Sequence, residues 1–438
     1  MIRAATAVAL SIAVAALLSL PKPERRTIVL PPGIVIVRGE TILEPHTEVR
    51  GAPEGTVLRM SPDFSGRAVF IARGADVRLH DFTIEGNRDE RDVRTGLPAY
   101  DVPFAKFTQA NGVLAQDIDG LTMERVEFRR IAGFAVLVSR GRRVKIDRVN
   151  ISDSGSRNAA GRNNTTGGIL LEEGAADFHV TNCRLRNIRG NGIWTHSLYP
   201  SLRNGPGWIT GNRIEVVGRD AIQAGHAFGI RVEDNSGTRI GVPWDDVDIE
   251  AQAIPVAIDT AGNVDRSVYA GNRFDEVNGK CIDLDGFHDG EVRSNVCVNR
   301  GPAESYKFGG YGIVFNNTNP DMQSVNIKVT DNVIDGPQFG GVFVIGSGNT
   351  VARNRLLNLN KAHCNEEAAR FGCYYAPGEP DMLRSGIYLG RGAERPAPAR
   401  GNIVEDNIIT GFEMKSRCIG RAPGIEASWN IVRGNDCR

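Results

Sequence analysis

One short pattern of apolar and polar positions recurs along most of the chain: an aliphatic residue, two further residues, and then Asn. It occurs at Ile209–Asn212, Val232–Asn235, Val292–Asn295, Val329–Asn332, Val351–Asn354, Val404–Asn407 and Val432–Asn435, with a looser copy at Tyr269–Asn272. A second pattern lies between these copies, a small residue followed by a β-branched one, as in Gly168-Ile169. Two alternating strand patterns over most of a chain indicate a solenoid.

The interval between copies predicts the type of solenoid. Ile209 and Val232 are 23 residues apart, and Val329 and Val351 are 22 apart. The segments are short and are broken by Gly, Asn and Asp, which tolerate positive φ, and they carry no 3.6-residue apolar stripe. A coil of about 22 residues with two or three short strands predicts an all-β, single-stranded right-handed parallel β-helix with loop excursions. Asn at the same turn of successive coils should form a ladder of side-chain amides.

The N-terminal segment predicts export. Residues 4–20 are mostly apolar, Arg3 precedes them, and Pro21 to Arg26 ends the run. We interpret residues 1–26 as a secretory signal peptide, followed by one β-helix domain over 27–438. The alternative is a single membrane anchor, because the run is near the lower length limit for a span. We expect a secreted or periplasmic protein with no other contact with a membrane.

Composition narrows the class of partner. The 438 residues include 51 Gly, which suits many tight turns, and 52 basic residues balance 52 acidic ones. The chain has no basic run, so we expect no nucleic-acid partner. We also expect a monomer. The seven cysteines allow three local pairs: Cys281 with Cys297, Cys364 with Cys373, and Cys418 with Cys437, leaving Cys183 unpaired. Free buried thiols are the alternative for Cys281 and Cys297.

Strand alternation predicts a polar stripe on the outside of the coils. We take the β-branched residue of the second pattern as inward, so residues one and three places later point outward. In-register stacking then aligns Glu172, His196, Gln223, Asp259, Asp283, Asp285 and Asn316, with Trp194, Phe343 and Tyr388 near the ends and His226 and His288 just past the strands. Carboxylates, amides and aromatic faces in one stripe are typical of a sugar-binding cleft.

Within this stripe, Asp259, Asp283 and Asp285 are the candidate catalytic residues. Carboxylates on adjacent or alternate coils lie ~5 or ~10 Å apart, which spans the separations used in glycoside hydrolysis. The candidate substrate-binding residues are Glu172, Trp194, His196, Gln223, His226, His288, Asn316 and Tyr388. The alternative is a solvated face without catalysis. We predict no metal site and no cofactor, except that a lyase would require Ca²⁺, for which Asp283, Asp285 and Asp289 offer carboxylate oxygens beside His288, a poor Ca²⁺ ligand.

The start of the domain resembles a known superfamily. Thr27-Ile-Val-Leu-Pro-Pro-Gly33, a Gly-rich turn before Thr56, and Thr83-Ile-Glu-Gly-Asn87 are similar to the opening strands of the pectate-lyase superfamily. The resemblance implies a right-handed β-helix over about residues 27–438, and a lyase, hydrolase, epimerase or non-catalytic adhesin.

The motifs of two branches of the superfamily are missing. Polygalacturonase-like hydrolases carry Asp-Asp and Gly-His-Gly motifs, which the segment 218–226 only echoes, and mannuronan epimerases carry Asp-Pro-His where this chain has 134–139. No residue role is therefore carried over. We expect an enzyme that cleaves glycosidic bonds of a polysaccharide. A non-catalytic carbohydrate-binding or surface protein is the alternative, and an epimerase is a weaker one.

Overall fold

The computed structural model describes residues 24–91, 96–247, 254–365, 373, 378–392 and 395–438. Its strands wind into coils with three faces, and neighbouring coils pair in parallel, as between Ile169–Glu172 and Ile193–His196. The chain is a right-handed parallel β-helix, as predicted from the repeat. Residues 1–23, which form most of the predicted signal peptide, lie outside the described residues, and the first strand begins at Arg26.

The strands sort by face into three series. The first face contains Thr41–Leu43, Ala68–His80, Asn111–Glu124, Val136–Ser139, Ile169–Glu172, Ile193–His196, Ile222–Phe228, Val256–Asp265, Lys280–His288, Ile313–Asn316, Val342–Val344, Ile387–Leu389 and Ile419–Arg421. The second contains Arg26–Val29, Thr47–Arg50, Arg142–Asp147, Ala176–Thr181, Gly207–Thr210, Ile230–Glu233, Val268–Ala270, Glu291–Arg293, Lys328–Thr330, Thr350–Ala352, Ile403–Glu405 and Ile431–Arg433. The third contains Gly33–Val37, Thr56–Met60, Thr83–Glu85, Glu127–Arg129, Asn150–Ser154, Arg184–Ile188, Arg213–Val217, Ser236–Ile240, Arg273–Val277, Val296–Val298, Val333–Asp335, Arg355–Leu359, Ile408–Gly411 and Asp436–Cys437.

In the part of the chain that the structure describes, helices are short and lie in the excursions and turns. They are Arg88–Arg91, Phe104–Phe107 and Met414–Arg417, with 3₁₀ turns at Trp244–Asp246, Ala303–Ser305, Met382–Arg384 and Ala427–Trp429. The strand Ser236–Ile240 precedes the turn Trp244–Asp246. Among the described residues, no helix is long and apolar enough to cross a membrane.

The interior is a stack of aliphatic side chains, because alternate residues of each strand point inward. On the first face the inward column contains Ile169, Ile193, Ile222, Ile258 and Ile282, all at most 1% exposed. Ile169 pairs with Ile193 and Ile193 with Ile222. The assignment of inward and outward positions on this face is therefore confirmed.

The predicted asparagine ladder is also present. The amide Nδ2 of Asn212 donates to Oδ1 of Asn235 at 2.9 Å. The same bond repeats through Asn272, Asn295, Asn332, Asn354, Asn407 and Asn435, at 2.8 to 3.0 Å. Each ladder asparagine from 212 to 407 is almost fully buried, and the ladder satisfies backbone groups that a turn would otherwise leave unpaired.

Six of the seven cysteines form the three predicted pairs between neighbours in the sequence. Disulfides join Cys281 to Cys297, Cys364 to Cys373, and Cys418 to Cys437. Cys183 is free and buried inside a coil. The alternative of free thiols at Cys281 and Cys297 is therefore excluded.

Candidate functional site

One outward column runs along the whole first face and changes character in its middle. Successive parallel pairings align Leu114, Leu137, Leu170, Trp194, Gln223, Asp259, Asp283, Val314, Phe343 and Tyr388. The pairing of Ile258 with Ile282 puts Asp259 beside Asp283. The column is apolar at both ends and polar only from Gln223 to Asp283. The predicted alignment of these residues is therefore confirmed.

A second outward column runs two residues further along each strand. In order along the face, this column contains Glu172, His196, Gly225, Ala261, Asp285 and Asn316. A Cβ on Gly225 would lie 2.7 Å from the carbonyl oxygen of Thr195 and 3.7 Å from Nε1 of Trp194. Because Gly225 and Ala261 are small, the surface beside Gln223 and Asp259 is low, and it forms the floor of a groove.

The first end of the face is covered. The helix Phe104–Phe107 lies over it, and the Phe104 ring contacts those of Phe134, Trp194 and His196 at centroid distances of 5.7, 5.0 and 5.5 Å. Together with Leu114, Leu137 and Leu170 they form an apolar cluster outside the coil. Trp194 is only 7% exposed. It borders the groove mainly through Nε1, so an open aromatic platform at this position is wrong.

Glu172 holds this cover in place and does not line the groove. Its two carboxylate oxygens accept the backbone N–H groups of Phe104 and Ala105, both at 2.9 Å, and the residue is fully buried. Burial raises the pKa of Glu172 to about 7, against the two backbone hydrogen bonds that lower it. The expectation that Glu172 contacts a substrate in an open cleft is therefore wrong.

The opposite end of the face is covered as well. Tyr388 is fully buried and its ring stacks at 6.1 Å on that of Phe343. Burial, together with the nearby charges of Glu379 and Asp381, raises the pKa of Tyr388. The 3₁₀ turn Met382–Arg384 approaches from outside, where the Tyr311 hydroxyl donates to the Met382 carbonyl at 2.9 Å. A substrate-contacting role for Tyr388 is therefore also wrong.

The centre of the column is a cluster of interacting carboxylates. Gln223 bridges Asn191 and Asp259: Nδ2 of Asn191 donates to Oε1 of Gln223 at 2.9 Å, and Nε2 of Gln223 donates to Oδ2 of Asp259. The ammonium of Lys280 pairs with Oδ2 of Asp283, whose other oxygen is buried without a hydrogen-bond partner among the described residues. The cluster therefore holds one carboxylate bonded to an amide and one bonded to a cation.

The electrostatics separate the two carboxylates. Burial raises the pKa of Asp259 well above its ordinary value, and the negative charges of Asp220 and Asp283 raise it further. Burial also raises the pKa of Asp220 to about 6, although Arg219 opposes the shift. A carboxyl group with a raised pKa thus stands beside a carboxyl group that pairs with a cation.

Asp285 lies two residues after Asp283 on the same strand, and it anchors a loop. Its Oδ1 accepts the backbone N–H of Thr318 at 2.9 Å and its Oδ2 accepts the Thr318 hydroxyl at 2.6 Å. Burial raises the pKa of Asp285 to about 6. Asn316, its neighbour in the column, is half-buried and accepts the N–H of Asn317 through Oδ1 at 2.9 Å.

The edge of the groove is formed by His226 and its surroundings. The His226 ring contacts that of Tyr199 at 4.9 Å, and burial lowers the pKa of His226, while the charge of Asp321 opposes the shift. His288 lies past the turn at Gly286, where it bonds Asp289 at 2.7 Å and Asn263 at 3.0 Å. His288 therefore lies just past the stripe, as predicted, and both of its ring nitrogens already have protein partners.

The predicted cation alternative is not assembled. Asp289 lies with His288 past the Gly286 turn and bonds Asn326 at 2.8 Å, away from Asp283 and Asp285. Among the described residues, one other group has converging ligand atoms, Glu172, Glu173 and His196. Its carboxylates are already engaged, because Glu172 binds two backbone N–H groups and Glu173 accepts the N–H of Leu198 at 2.8 Å.

Sequence reasoning identified neither Asp220 nor the pairing of Lys280 with Asp283. Asp220 stands directly before Ala221-Ile222, a copy of the small-then-branched pattern, so its position at the entry of a first-face strand was readable from the repeat. A large open depression of about 800 Å³ lies elsewhere, bordered by Asp81, Arg125 and Arg184 on the other faces. It contains none of the carboxylates described above.

Comparison with known proteins identifies the fold. Residues 67–242 match the family described as "Right handed beta helix region". No curated protein matches the sequence. DFA-IIIase from Arthrobacter chlorophenolicus A6 in complex with GF2 is similar in structure, with a TM-score of 0.54 and 13% identity over 93% of this chain and 87% of that chain.

A second similar structure is PfbA, a surface adhesin of Streptococcus pneumoniae. Its TM-score is 0.56, with 13% identity over 76% of this chain and 84% of that chain. The family match and these structural similarities show the right-handed β-helix fold that the sequence resemblance implied. Because one of the two is named as an enzyme and the other as an adhesin, the activity has to be argued from the site.

Proposed function

We propose that this protein cleaves glycosidic bonds of a polysaccharide in the groove at the centre of the first face. The observation that carries the proposal is the pair Asp259 and Asp283, side by side on adjacent coils with different partners. Asp259 has a raised pKa and an amide partner, whereas Asp283 is paired with the ammonium of Lys280. Such a pair supplies an acid and an anion at one position.

In the proposed reaction the protonated carboxyl of Asp259 donates its proton to the glycosidic oxygen as the bond from that oxygen to the anomeric carbon breaks. The sugar leaving on that oxygen departs as an alcohol. Asp283 then either attacks the anomeric carbon, in which case water later hydrolyses the glycosyl-enzyme, or removes a proton from the attacking water. Adjacent coils are ~4.8 Å apart, which is nearer to the ~5–5.5 Å separation of retaining enzymes.

Other residues of the groove serve binding and positioning in this proposal. Gln223, His196, His226 and Asn316 offer polar atoms to sugar hydroxyls, and Nε1 of Trp194 borders the floor at Gly225. Asp285 holds the loop at Thr318, so we assign it a positioning role. The similarity to DFA-IIIase is consistent with a carbohydrate substrate. We expect an exported protein, and its three disulfides are typical of an oxidising compartment.

A lyase reaction and a non-catalytic role are the other candidates. Lys280 stands beside Asp283 and would be the base of a lyase, with Ca²⁺ bound by the carboxylates. A glycan-binding surface protein is favoured by one observation, the similarity in fold to an adhesin. Cleavage is preferred because a binding surface has no need for buried carboxylates with raised pKa values.

The test is turnover of the purified protein on a panel of plant, algal and bacterial polysaccharides, with and without Ca²⁺. New reducing ends without absorbance near 235 nm would establish hydrolysis, and Ca²⁺-dependent absorbance would establish a lyase. Tight binding to one glycan without any product, under both conditions, would contradict cleavage and favour the surface-protein role.

A further inference from the structure

Three arginine side chains border a second, smaller cavity at the turn between the third and first faces. The cavity has a volume of about 140 Å³ and is bordered by Arg88, Arg157, Arg189, Asn163, Gly218 and Asp246. The arginines come from three different coils, since each follows a different third-face strand. We call this cavity the arginine pocket.

The guanidinium groups of the arginine pocket are not fully satisfied. Nη1 of Arg88 and Nε of Arg157 are buried and have no hydrogen-bond partner among the described residues. The Arg88 side chain is only 10% exposed. An unpaired buried N–H group is costly, and the cost is larger when the group is charged. The arginine pocket therefore holds two buried N–H groups that no described protein acceptor satisfies.

Positive charge is in excess around the pocket. Arg88 bonds Asp89 at 3.1 Å, Arg157 bonds Asp246 at 3.3 Å, and Arg189 approaches Asp89 only at 4.0 Å. Three guanidinium groups thus share two carboxylates among the described residues. Burial lowers the pKa of Arg189, and the charges of Arg88 and Arg157 lower it further. An anion in the cavity would relieve this repulsion.

We propose that the arginine pocket binds a carboxylate or sulfate group carried by the polysaccharide, which makes the substrate an acidic glycan. Guanidinium groups bind such oxyanions through paired N–H···O bonds, and three of them around one small cavity suit a single group. The cavity is large enough for one such group and too small for a sugar chain, so the rest of the glycan must lie outside it.

The position of the pocket connects it to the groove. Gly218, which borders the pocket, stands two residues before Asp220, a distance of roughly 7 Å in extended chain. The charge of Asp220 in turn acts on Asp259. A glycan that places one acidic substituent in the pocket therefore lies within a few sugar units of the cleavage position. This inference rests on the proposed function for the identity of the glycan, but the binding of the anion can be measured without turnover.

The experiment is calorimetric titration of the full-length protein with glucuronate, with glucose as the neutral control and with sodium sulfate against sodium chloride at equal ionic strength. We expect glucuronate to bind and glucose not to bind.

Variants of the pocket test which residues bind the anion. Arg189→Gln should raise the Kd for glucuronate by at least about tenfold, which is a loss of about 1.4 kcal/mol of binding free energy. If Arg189→Gln fails to fold, Arg157→Gln replaces it, because Arg157 is more exposed. This variant should also raise the Kd for glucuronate. The matched control is Arg186→Gln. Arg186 is exposed and lies three residues before Arg189, so this variant should leave the Kd for glucuronate unchanged.

Equal binding of glucose, or an unchanged Kd in both pocket variants, would overturn the proposal. Binding of sulfate without glucuronate would support a sulfated glycan and overturn the carboxylate part of the proposal. The same titration with Asp283→Asn separates the two proposals, because that variant should lose turnover and keep glucuronate binding. Turnover of a neutral glycan without glucuronate binding would refute the pocket alone.

Discussion

The two ends of the first face and its centre are built on the same strands, yet they have opposite surfaces. At the ends the outward column is apolar, with Leu170 fully buried under the helix Phe104–Phe107 and Tyr388 fully buried at the other end. At the centre the same column carries Gln223, Asp259 and Asp283. An apolar outward residue in a solenoid therefore marks where an excursion docks, and a polar run between two such regions marks the part left for a ligand.

The centre also differs in electrostatics from an ordinary solvated face. Exposed carboxylates elsewhere, such as Asp81 with Arg125, are paired, and the hydrogen bond from Arg125 lowers the pKa of Asp81 to about 2. In the centre, burial raises the pKa of Asp259 and Asp285. The pKa values of carboxyl groups thus shift in opposite directions on the exposed surface and at the centre of the first face.

The largest expected effect belongs to the centre. Asp283→Asn should lower the rate of glycosidic cleavage by about 100- to 10,000-fold, because it removes the anion beside the proton donor. The measurement is the initial rate of reducing-end release on the polysaccharide identified in the panel. Asp177→Asn, at an exposed position on the second face, is the matched control and should retain full activity. If Asp283→Asn kept more than half of the wild-type activity, the assignment of Asp283 as the catalytic anion would be contradicted.

The next effect belongs to the covered end. Phe104→Ala should reduce the free energy of unfolding by about 3–5 kcal/mol, because it opens a cavity between Phe134 and Trp194. Phe107→Ala in the same helix should cost less than about 1 kcal/mol, since Phe107 is 37% exposed. Denaturant unfolding of both variants checks the difference. Equal losses would show that the helix is not docked through Phe104.

A smaller effect concerns the pH dependence of the same cover. Because the pKa of Glu172 is raised to about 7, its contribution to stability is complete below its ordinary pKa and is lost as the pH rises through about 7. The wild type should therefore lose about 2–3 kcal/mol more than Glu172→Gln between pH 5 and pH 8. Urea unfolding at the two pH values measures this. Parallel pH dependences of the two proteins would contradict the burial of this carboxylate.

The smallest effect refines the centre. Asp220→Asn keeps an acceptor for the N–H of Val256 and removes a charge that raises the pKa of Asp259. The proton donor should then ionise at lower pH, so the alkaline limb of the pH–rate profile should move down by about one pH unit. A limb that stays in place would mean that Asp259 is not the group that donates the proton.

The coil register and much of the centre could be predicted from the sequence, for a local reason. Inward and outward alternation has a period of two residues, so identifying Ile222, Ile258 and Ile282 as inward was enough to align Gln223, Asp259 and Asp283. The asparagine ladder followed from the same repeat, because identical turns stack at identical positions.

What the sequence could not predict are the contacts between distant segments. Glu172 was predicted to be outward, and it is, but Phe104, which covers it, lies 68 residues earlier in an excursion without a repeat. Tyr388 is similarly covered near the turn Met382–Arg384. Docking of excursions depends on long-range packing that no local pattern encodes.

The most direct test of the account is a crystal structure of Asp283→Asn soaked with the longest oligosaccharide that the panel identifies as a product or substrate. The account predicts sugar density over Gly225 and Ala261, with one glycosidic oxygen within hydrogen-bond distance of Asp259. Density confined to another surface, such as the depression of about 800 Å³ beside Arg125, with the groove empty, would contradict it.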